Sequence, residues 1–194
     1  MKNWTKLATD EEIKKTLKSL EANGIKTIVV ENGKQAKIKV IGMLPENAEV
    51  FTMTSMTLES IGLDKEINES KKYNAVRPKL FAMDRNTQSR EMAKFGSAPD
   101  WVVSSVHAIT HDGHLLIASN TGSQLSAEAY AGGKVIFVAG AQKIVKDTDE
   151  GMERIYTHTF PLEDKRAQKA YGMHSGVSKI LIINNIANYY IITN

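Results

Sequence analysis

Residues 100–140 read DWVVSSVHAITHDGHLLIASNTGSQLSAEAYAGGKVIFVAG, and they decide the fold class. The last seven, KVIFVAG (134–140), form a continuous apolar, β-branched run of the kind that suits a strand covered on both faces of a parallel sheet. A helix-forming segment precedes it, QLSAEAYA (124–131), closed by Gly132-Gly133. Before that helix, DWVVSSVHAIT (100–110) and HLLIAS (114–119) read as strands joined by Asp112-Gly113, the signal for a two-residue type I′ hairpin.

The same alternation extends outward in both directions. Thr9-Asp10-Glu11-Glu12 forms a capping box ahead of Ile13, Leu17 and Leu20, so a helix is expected over 10–22, stopped by Asn23-Gly24. IKTIVV (25–30) is a strand, GKQAKIKVIGML (33–44) a helix ended by Pro45, and AEVFTM (48–53) a strand. A short helix then begins at Ser55 or Thr57 and stops at Gly62. Residues 64–86 are charged, weakly periodic and contain Pro78, and read as a long connection or lid before a helix over 87–96. Helical segments around 150–160 and 162–171 and a strand over 178–184 complete the pattern. The expectation is one α/β domain over 1–194, with a mostly parallel sheet flanked by helices and an inserted antiparallel hairpin.

Composition narrows the chemistry. Absence of cysteine excludes disulfides, thiolate metal sites, a cysteine nucleophile and the usual ligands of an iron–sulfur cluster. Residues 1–97 carry 17 basic and 13 acidic side chains and the remainder 8 and 9, so neither half is a polybasic surface for nucleic acid or lipid. There is no apolar leader at the N-terminus and no stretch of ~20 apolar residues, so a cytoplasmic protein without a membrane partner is expected.

Ligands of open α/β sheets sit beyond the carboxyl ends of strands, where helix N-termini offer free amides. Three stretches qualify. MTSMT (53–57) supplies the hydroxyls of Thr54, Ser55 and Thr57, which also serve as ordinary helix caps. SNTGSQ (119–124) supplies Asn120, Thr121, Gly122, Ser123 and Gln124 around a glycine turn. AGAQKIV (139–145) has Gly140 at a strand end and Lys143 able to face a phosphate or carboxylate. A small anionic ligand suits all three.

The histidines around Asp112 do not suggest a metal. In a two-residue hairpin His111 opposes His114 and His107 opposes Ala118, so His107, Ile109, His111, His114, Leu116 and Ala118 share one face. His107 and His111 are then ~13 Å apart along the strand, too far to share one zinc. No metal and no cofactor is expected. His107, deep in its strand, and Asp112, in the turn, are the general acid/base candidates, each with a structural alternative: a satisfied core imidazole and a turn aspartate.

The run from Trp101 to Val145 resembles the signature of the lactate-utilisation (LUD) domain family, whose Asn-Ala-Ile-Thr-x-Asp-Gly-x-Leu hairpin precedes a glycine turn, a helix and a strand ending in Gly-x-x-Lys-Ile-Val. VFTMTSMTLESIGL (50–63) resembles the family's Gly-Gly-Ser-x-Thr-Leu-x-Glu-x-Gly segment, and DTDEGMERI (147–155) continues the match. The resemblance implies a fold similar to the sugar-phosphate isomerase and coenzyme A transferase-like (NagB/RpiA-like) superfamily. It also implies a role beside iron–sulfur partner proteins in oxidation of L-lactate to pyruvate. The chain departs from the pattern at four points: His107 stands in place of Asn, Gln124 in place of Arg, Met53-Thr54 in place of Gly-Gly, and GMHSGVSKILIINN (172–185) where many relatives carry a cysteine-rich segment.

Three functions follow. One is an accessory or ligand-binding component of lactate oxidation. The second is an independent isomerase- or transferase-like enzyme on a small phosphorylated or coenzyme A-linked substrate. The third is a non-catalytic interaction protein, dimeric through the apolar stretch ILIINNIANYYIITN (180–194), read as strand material able to add to a sheet edge.

Overall fold

In a computed structural model the described residues are 2–185 and 189–193, the side chains of Ile192 and Thr193 excepted. The chain runs α1 (Asp10–Ala22), β1 (Lys26–Val29), α2 (Gly33–Met43), β2 (Glu49–Thr52), α3 (Met56–Ser60), α4 (Leu63–Glu69), β3 (Asn74–Ala75), α5 (Val76–Ala82) and α6 (Ser89–Ser97). It continues through β4 (Trp101–Ser104), β5 (Ala108–Thr110), β6 (Leu115–Ser119), β7 (Lys134–Ala139), β8 (Ile144–Val145), α7 (Thr148–Arg154), α8 (Phe160–Tyr171), β9 (Lys179–Ile183) and β10 (Tyr189–Thr193). Its residues group into two compact units: 1–25, 106–122 and 140–187 in the first, 26–105, 123–139 and 188–194 in the second.

The second unit holds a parallel sheet in the order β1-β10-β7-β4-β2-β3, which bears out an α/β plan with a mostly parallel sheet. β7 lies between β10 and β4, and its Val135 to Ala139 are all buried, as its unbroken apolar run requires. Trp101, Val103, Ile136 and Val138 pack with Ala36, Val40 and Leu44 from α2 and its end and with Leu58, Leu63 and Ile67 from α3 and α4. Burial at this level contributes roughly 1.5–3 kcal/mol per large aliphatic side chain.

Two expectations are corrected here. Residues 64–86 are not a long connection, because α4, β3 and α5 occupy most of them. Pro78 is the third residue of α5, inside the first turn, where its missing N–H has no helical acceptor to lose. The C-terminal stretch does not add as a whole to an edge. β10 is an interior strand, with Ile191 opposite both Thr27 and Phe137, and residues 186–188 and 194 of that stretch lie outside the described residues.

The first unit holds a smaller sheet in the order β8-β5-β6-β9, with β6 antiparallel to both neighbours. The expected strand over 100–110 is therefore two strands in two sheets. β4 ends where the Ser105 hydroxyl takes the Val138 carbonyl at 2.5 Å, and β5 starts afresh at Ala108.

The hairpin itself is also corrected. Ala108 faces Leu116 and Ile109 faces Leu115, so the loop is His111-Asp112-Gly113, not two residues. Gly113 N–H donates to Thr110 at 2.9 Å and Gly113 has φ +85°, whereas Asp112 is not left-handed, which rules out type I′. The register thus differs by one residue from the expected one, so His107 no longer pairs with Ala118 in the way the two-residue turn required. α1 carries the expected capping box between Thr9 and Glu12, and Gly24 takes φ +79° past its end.

The helical region 150–171 is continuous where two segments were expected. α7 passes into a π-turn at Ile155–Thr159, with Phe160 N–H donating to Ile155, and α8 follows directly. Pro161 sits in the first turn after that wide turn, so its ring starts a helix instead of breaking one.

Candidate functional site

In the first unit the structure brings three basic side chains onto one segment. Lys143, on a 3₁₀ turn at Ala141–Lys143, directs Nζ to the Val106 carbonyl at 2.8 Å. Arg154, the last residue of α7, donates through Nη1 to the His107 carbonyl at 2.6 Å and to Thr159 Oγ1 at 3.1 Å. It is only 4% exposed, and its Nε has no hydrogen-bond partner among the described residues. His107 accepts the Ala118 amide on Nδ1 at 3.1 Å, which assigns its proton to Nε2, while its own amide donates to the Leu116 carbonyl at 2.8 Å.

The electrostatics of this cluster run one way. Desolvation, then the positive charges of Lys143 and Arg154, lowers the pKa of His107 to about 3, so the imidazole is neutral at physiological pH. Desolvation and then Arg154 lower Lys143 to about 7. Burial alone brings Arg154 down to about 10, and no carboxylate among the described residues lies within ion-pair distance of it. Burial and Arg154 also depress His158. A negative charge beside Lys143 and Arg154 would act against these downward shifts.

The other residues singled out in this unit have different surroundings. Asp112 is 61% exposed, receives the Thr110 hydroxyl and lies 3.6 Å from His114 Nδ1. Asn23 clamps the Asp112 and Gly113 carbonyls at 3.0 and 3.2 Å, so Asp112 is built into the turn as its structural alternative described. Gly122, with φ +82°, donates to Ser119 Oγ at 2.8 Å; Asn120 accepts from Ser178 at 3.2 Å; Asn120 and Thr121 are exposed. Gly140 keeps an ordinary φ of −77°, and a side chain there would meet the flexible end of Gln142.

The remaining candidates, Thr54, Ser55, Thr57, Ser123 and Gln124, belong to the second unit. Ser55 caps α3 by accepting the Leu58 amide at 3.4 Å, the capping alternative. Arg77 binds the end of β2, donating to the Thr52 carbonyl at 3.1 Å and to Thr54 Oγ1 at 2.6 Å. Ser105 Oγ lies 3.5 Å from Thr57 Oγ1. Ser123 and Gln124 form the turn before a helical stretch whose Ala127–Ala131 segment is a π-turn.

That π-turn carries Glu128, a residue the sequence reading passed over. It is 1% exposed; Ser104 Oγ donates to its Oε1 at 2.6 Å, and its Oε2 has no partner among the described residues. The Tyr189 hydroxyl donates to its backbone carbonyl. Desolvation raises its pKa to about 8 against the lowering effect of the Ser104 bond, so the buried carboxyl is largely protonated at neutral pH. In sequence Glu128 reads as one polar residue on an exposed helix face, and only the close approach of β4 shows otherwise. Arg154 is hidden similarly inside EGMERIYTHTF, and Arg77 inside 64–86, whose sequence reads as a long connection or lid. Among the described residues no three His, Asp or Glu side chains cluster as metal ligands.

The LUD domain model matches residues 13–189 of the chain. No curated protein sequence matches it. Of solved structures, a DUF162 family protein from Deinococcus radiodurans is similar at a TM-score of 0.56 and 10% identity, over 97% of this chain and 100% of that one. Ribose 5-phosphate isomerase from Plasmodium falciparum aligns over 84% of this chain and 94% of its own at 11% identity, but with a TM-score of only 0.43. At 10% identity the first likeness is one of fold. A domain match over nearly the whole chain is one of family, and the protein belongs to the LUD domain family, which relates it in general terms to lactate utilisation.

Proposed function

We propose that this protein is an accessory, ligand-binding component of L-lactate oxidation to pyruvate, and that the Lys143–Arg154–His107 cluster receives the carboxylate of a small acid. One observation carries the reading: Arg154 is buried with an unpartnered Nε and has no carboxylate among the described residues to neutralise it. A buried guanidinium without a counter-ion is costly, and a bidentate carboxylate is the partner its geometry suits. Thr159 and the His107 carbonyl hold Nη1, so the guanidinium is oriented before a ligand arrives. The chain carries no cysteine for an iron–sulfur centre, so electrons from lactate would pass through partner proteins.

Calorimetric titration of the protein with L-lactate and pyruvate tests binding, and deletion of its gene tests the pathway. Binding that weakens about tenfold or more in Arg154→Gln, together with lost growth on L-lactate, is expected. Because Lys143 sits near pKa 7, an anion beside it raises that value, and binding above pH 7 takes up protons, read as a heat that changes with buffer ionisation enthalpy. Absence of binding by both acids, or unchanged growth, rejects the reading.

The enzyme reading draws on a separate observation. Arg77 donates to the Thr52 carbonyl at the carboxyl end of β2 and to the Thr54 hydroxyl, and a cation beside that hydroxyl supports a phosphate-binding reading of the second unit. Thermal shift with sugar phosphates and coenzyme A esters tests it, since a ligand at 100 times its Kd stabilises by ~2.7 kcal/mol. No shift with any of them removes it.

A further inference from the structure

An amine and a guanidinium are anchored to successive carbonyls of one segment. Lys143 Nζ is on Val106 at 2.8 Å and Arg154 Nη1 on His107 at 2.6 Å. Lys143 is half-buried, and Arg154 is 4% exposed with its Nε unsatisfied among the described residues. Arg154 lowers the pKa of both Lys143 and His107, and Lys143 lowers that of His107 as well. A guanidinium beside an amine matches a molecule whose carboxylate adjoins an electrophilic carbon.

We propose that Lys143 condenses with the carbonyl carbon of a small 2-oxo acid whose carboxylate pairs with Arg154. The inference rests on the anion-site reading above and narrows it from hydroxy acids to oxo acids.

The chemistry needs no oxidant or reductant. The Nζ lone pair attacks the carbonyl carbon, the C=O pair moves to oxygen, and a proton passes from nitrogen to that oxygen. The remaining N–H proton of the carbinolamine then passes to the hydroxyl oxygen, which leaves as water while the nitrogen lone pair forms the C=N bond. Lys143, lowered to about 7 by burial and Arg154, is mostly free amine at pH 8, whereas an ordinary lysine near 10.5 is under ~1% amine there. His107, neutral with its proton on Nε2, adds no competing positive charge. L-Lactate has no carbonyl carbon to attack and forms the ion pair alone.

Borohydride trapping tests the proposal on the full chain. The protein is incubated at pH 8 with pyruvate and cyanoborohydride and mapped by peptide mass spectrometry, with pyruvate calorimetry in parallel. The expected result is an N-(1-carboxyethyl) adduct on Lys143, favoured roughly tenfold or more over any other lysine. It is absent with L-lactate and strongly reduced with acetone, which lacks the carboxylate. Lys143→Arg should lose the adduct while its thermal unfolding stays cooperative, which separates loss of the nucleophile from loss of the fold. Adducts spread over lysines according to exposure overturn the proposal. Calorimetric binding without an adduct overturns it too while leaving the anion site standing, and neither heat nor adduct overturns both.

Discussion

Glu128 and His107 are both held neutral by burial, yet they move stability in opposite directions with pH. Glu128 has a folded pKa of about 8, above its ordinary 4.5, so the native state holds a proton that the unfolded chain releases. Its contribution is present below pH 4.5 and is lost as pH rises toward 8, on the order of 2–3 kcal/mol between pH 5 and 7. Glu128→Gln, which keeps an acceptor for Ser104, should raise the melting temperature at pH 7 and flatten its fall over that window. An unchanged pH profile would mean that the carboxyl is ionised in the fold. His107 behaves in the reverse sense. Its folded pKa of about 3 lies below 6.5, so its contribution is full above pH 6.5 and lost as pH falls toward 3. His107→Asn retains an acceptor for the Ala118 amide and should flatten the acid limb of a thermal-melt series while leaving the melting temperature at pH 7.5 nearly unchanged. His107 was legible as an enclosed histidine, but the cations that hold it neutral were not, because Arg154 is 47 positions away in the chain.

Turns and helix ends differ in how far their shape is set by neighbouring residues alone. The Thr9 capping box and the Asn23-Gly24 stop are local, decided by side chains three residues apart or by one glycine, and both are where the sequence put them. The Asp112-Gly113 turn is local too, yet its length depends on the register between β5 and β6, which packing on both faces sets. Gly113 is required twice: its φ is +85°, and a Cβ there would come within 2.7–2.8 Å of Ser19 and Leu20 backbone atoms in α1. Gly113→Ala is therefore expected to cost about 2 kcal/mol or more, measured by urea unfolding, because the backbone clash adds to the roughly 1–2 kcal/mol of a left-handed alanine. A loss of under about 0.5 kcal/mol would show that α1 gives way. Pro78 in α5 and Pro161 in α8 both sit in a first helical turn, where a proline looks in sequence like one that ends a helix.

Across the whole molecule, chain order and spatial order part company. β10 is the last strand of the chain and lies between β1 and β7, so it supplies hydrogen bonds to both, and Ile191 is fully buried. Ending the chain at Asn185 should leave β1 with no partner in the sheet and abolish cooperative unfolding by circular dichroism. A truncated chain that still melts cooperatively would show that the rest of the sheet closes without β10. By itself the sequence determined the class of fold, because unbroken β-branched runs such as KVIFVAG and amphipathic, capped helices state their burial within a dozen residues. It determined the family as well, since the signature between Trp101 and Val145 depends on spacing along the chain. Only the tertiary structure decided that DWVVSSVHAIT divides between two sheets and that β10 is interior. Only it set Lys143 and Arg154 on neighbouring carbonyls and enclosed Glu128. Those outcomes depend on desolvation and pairing between segments far apart in the chain, and no local pattern encodes which distant group will arrive.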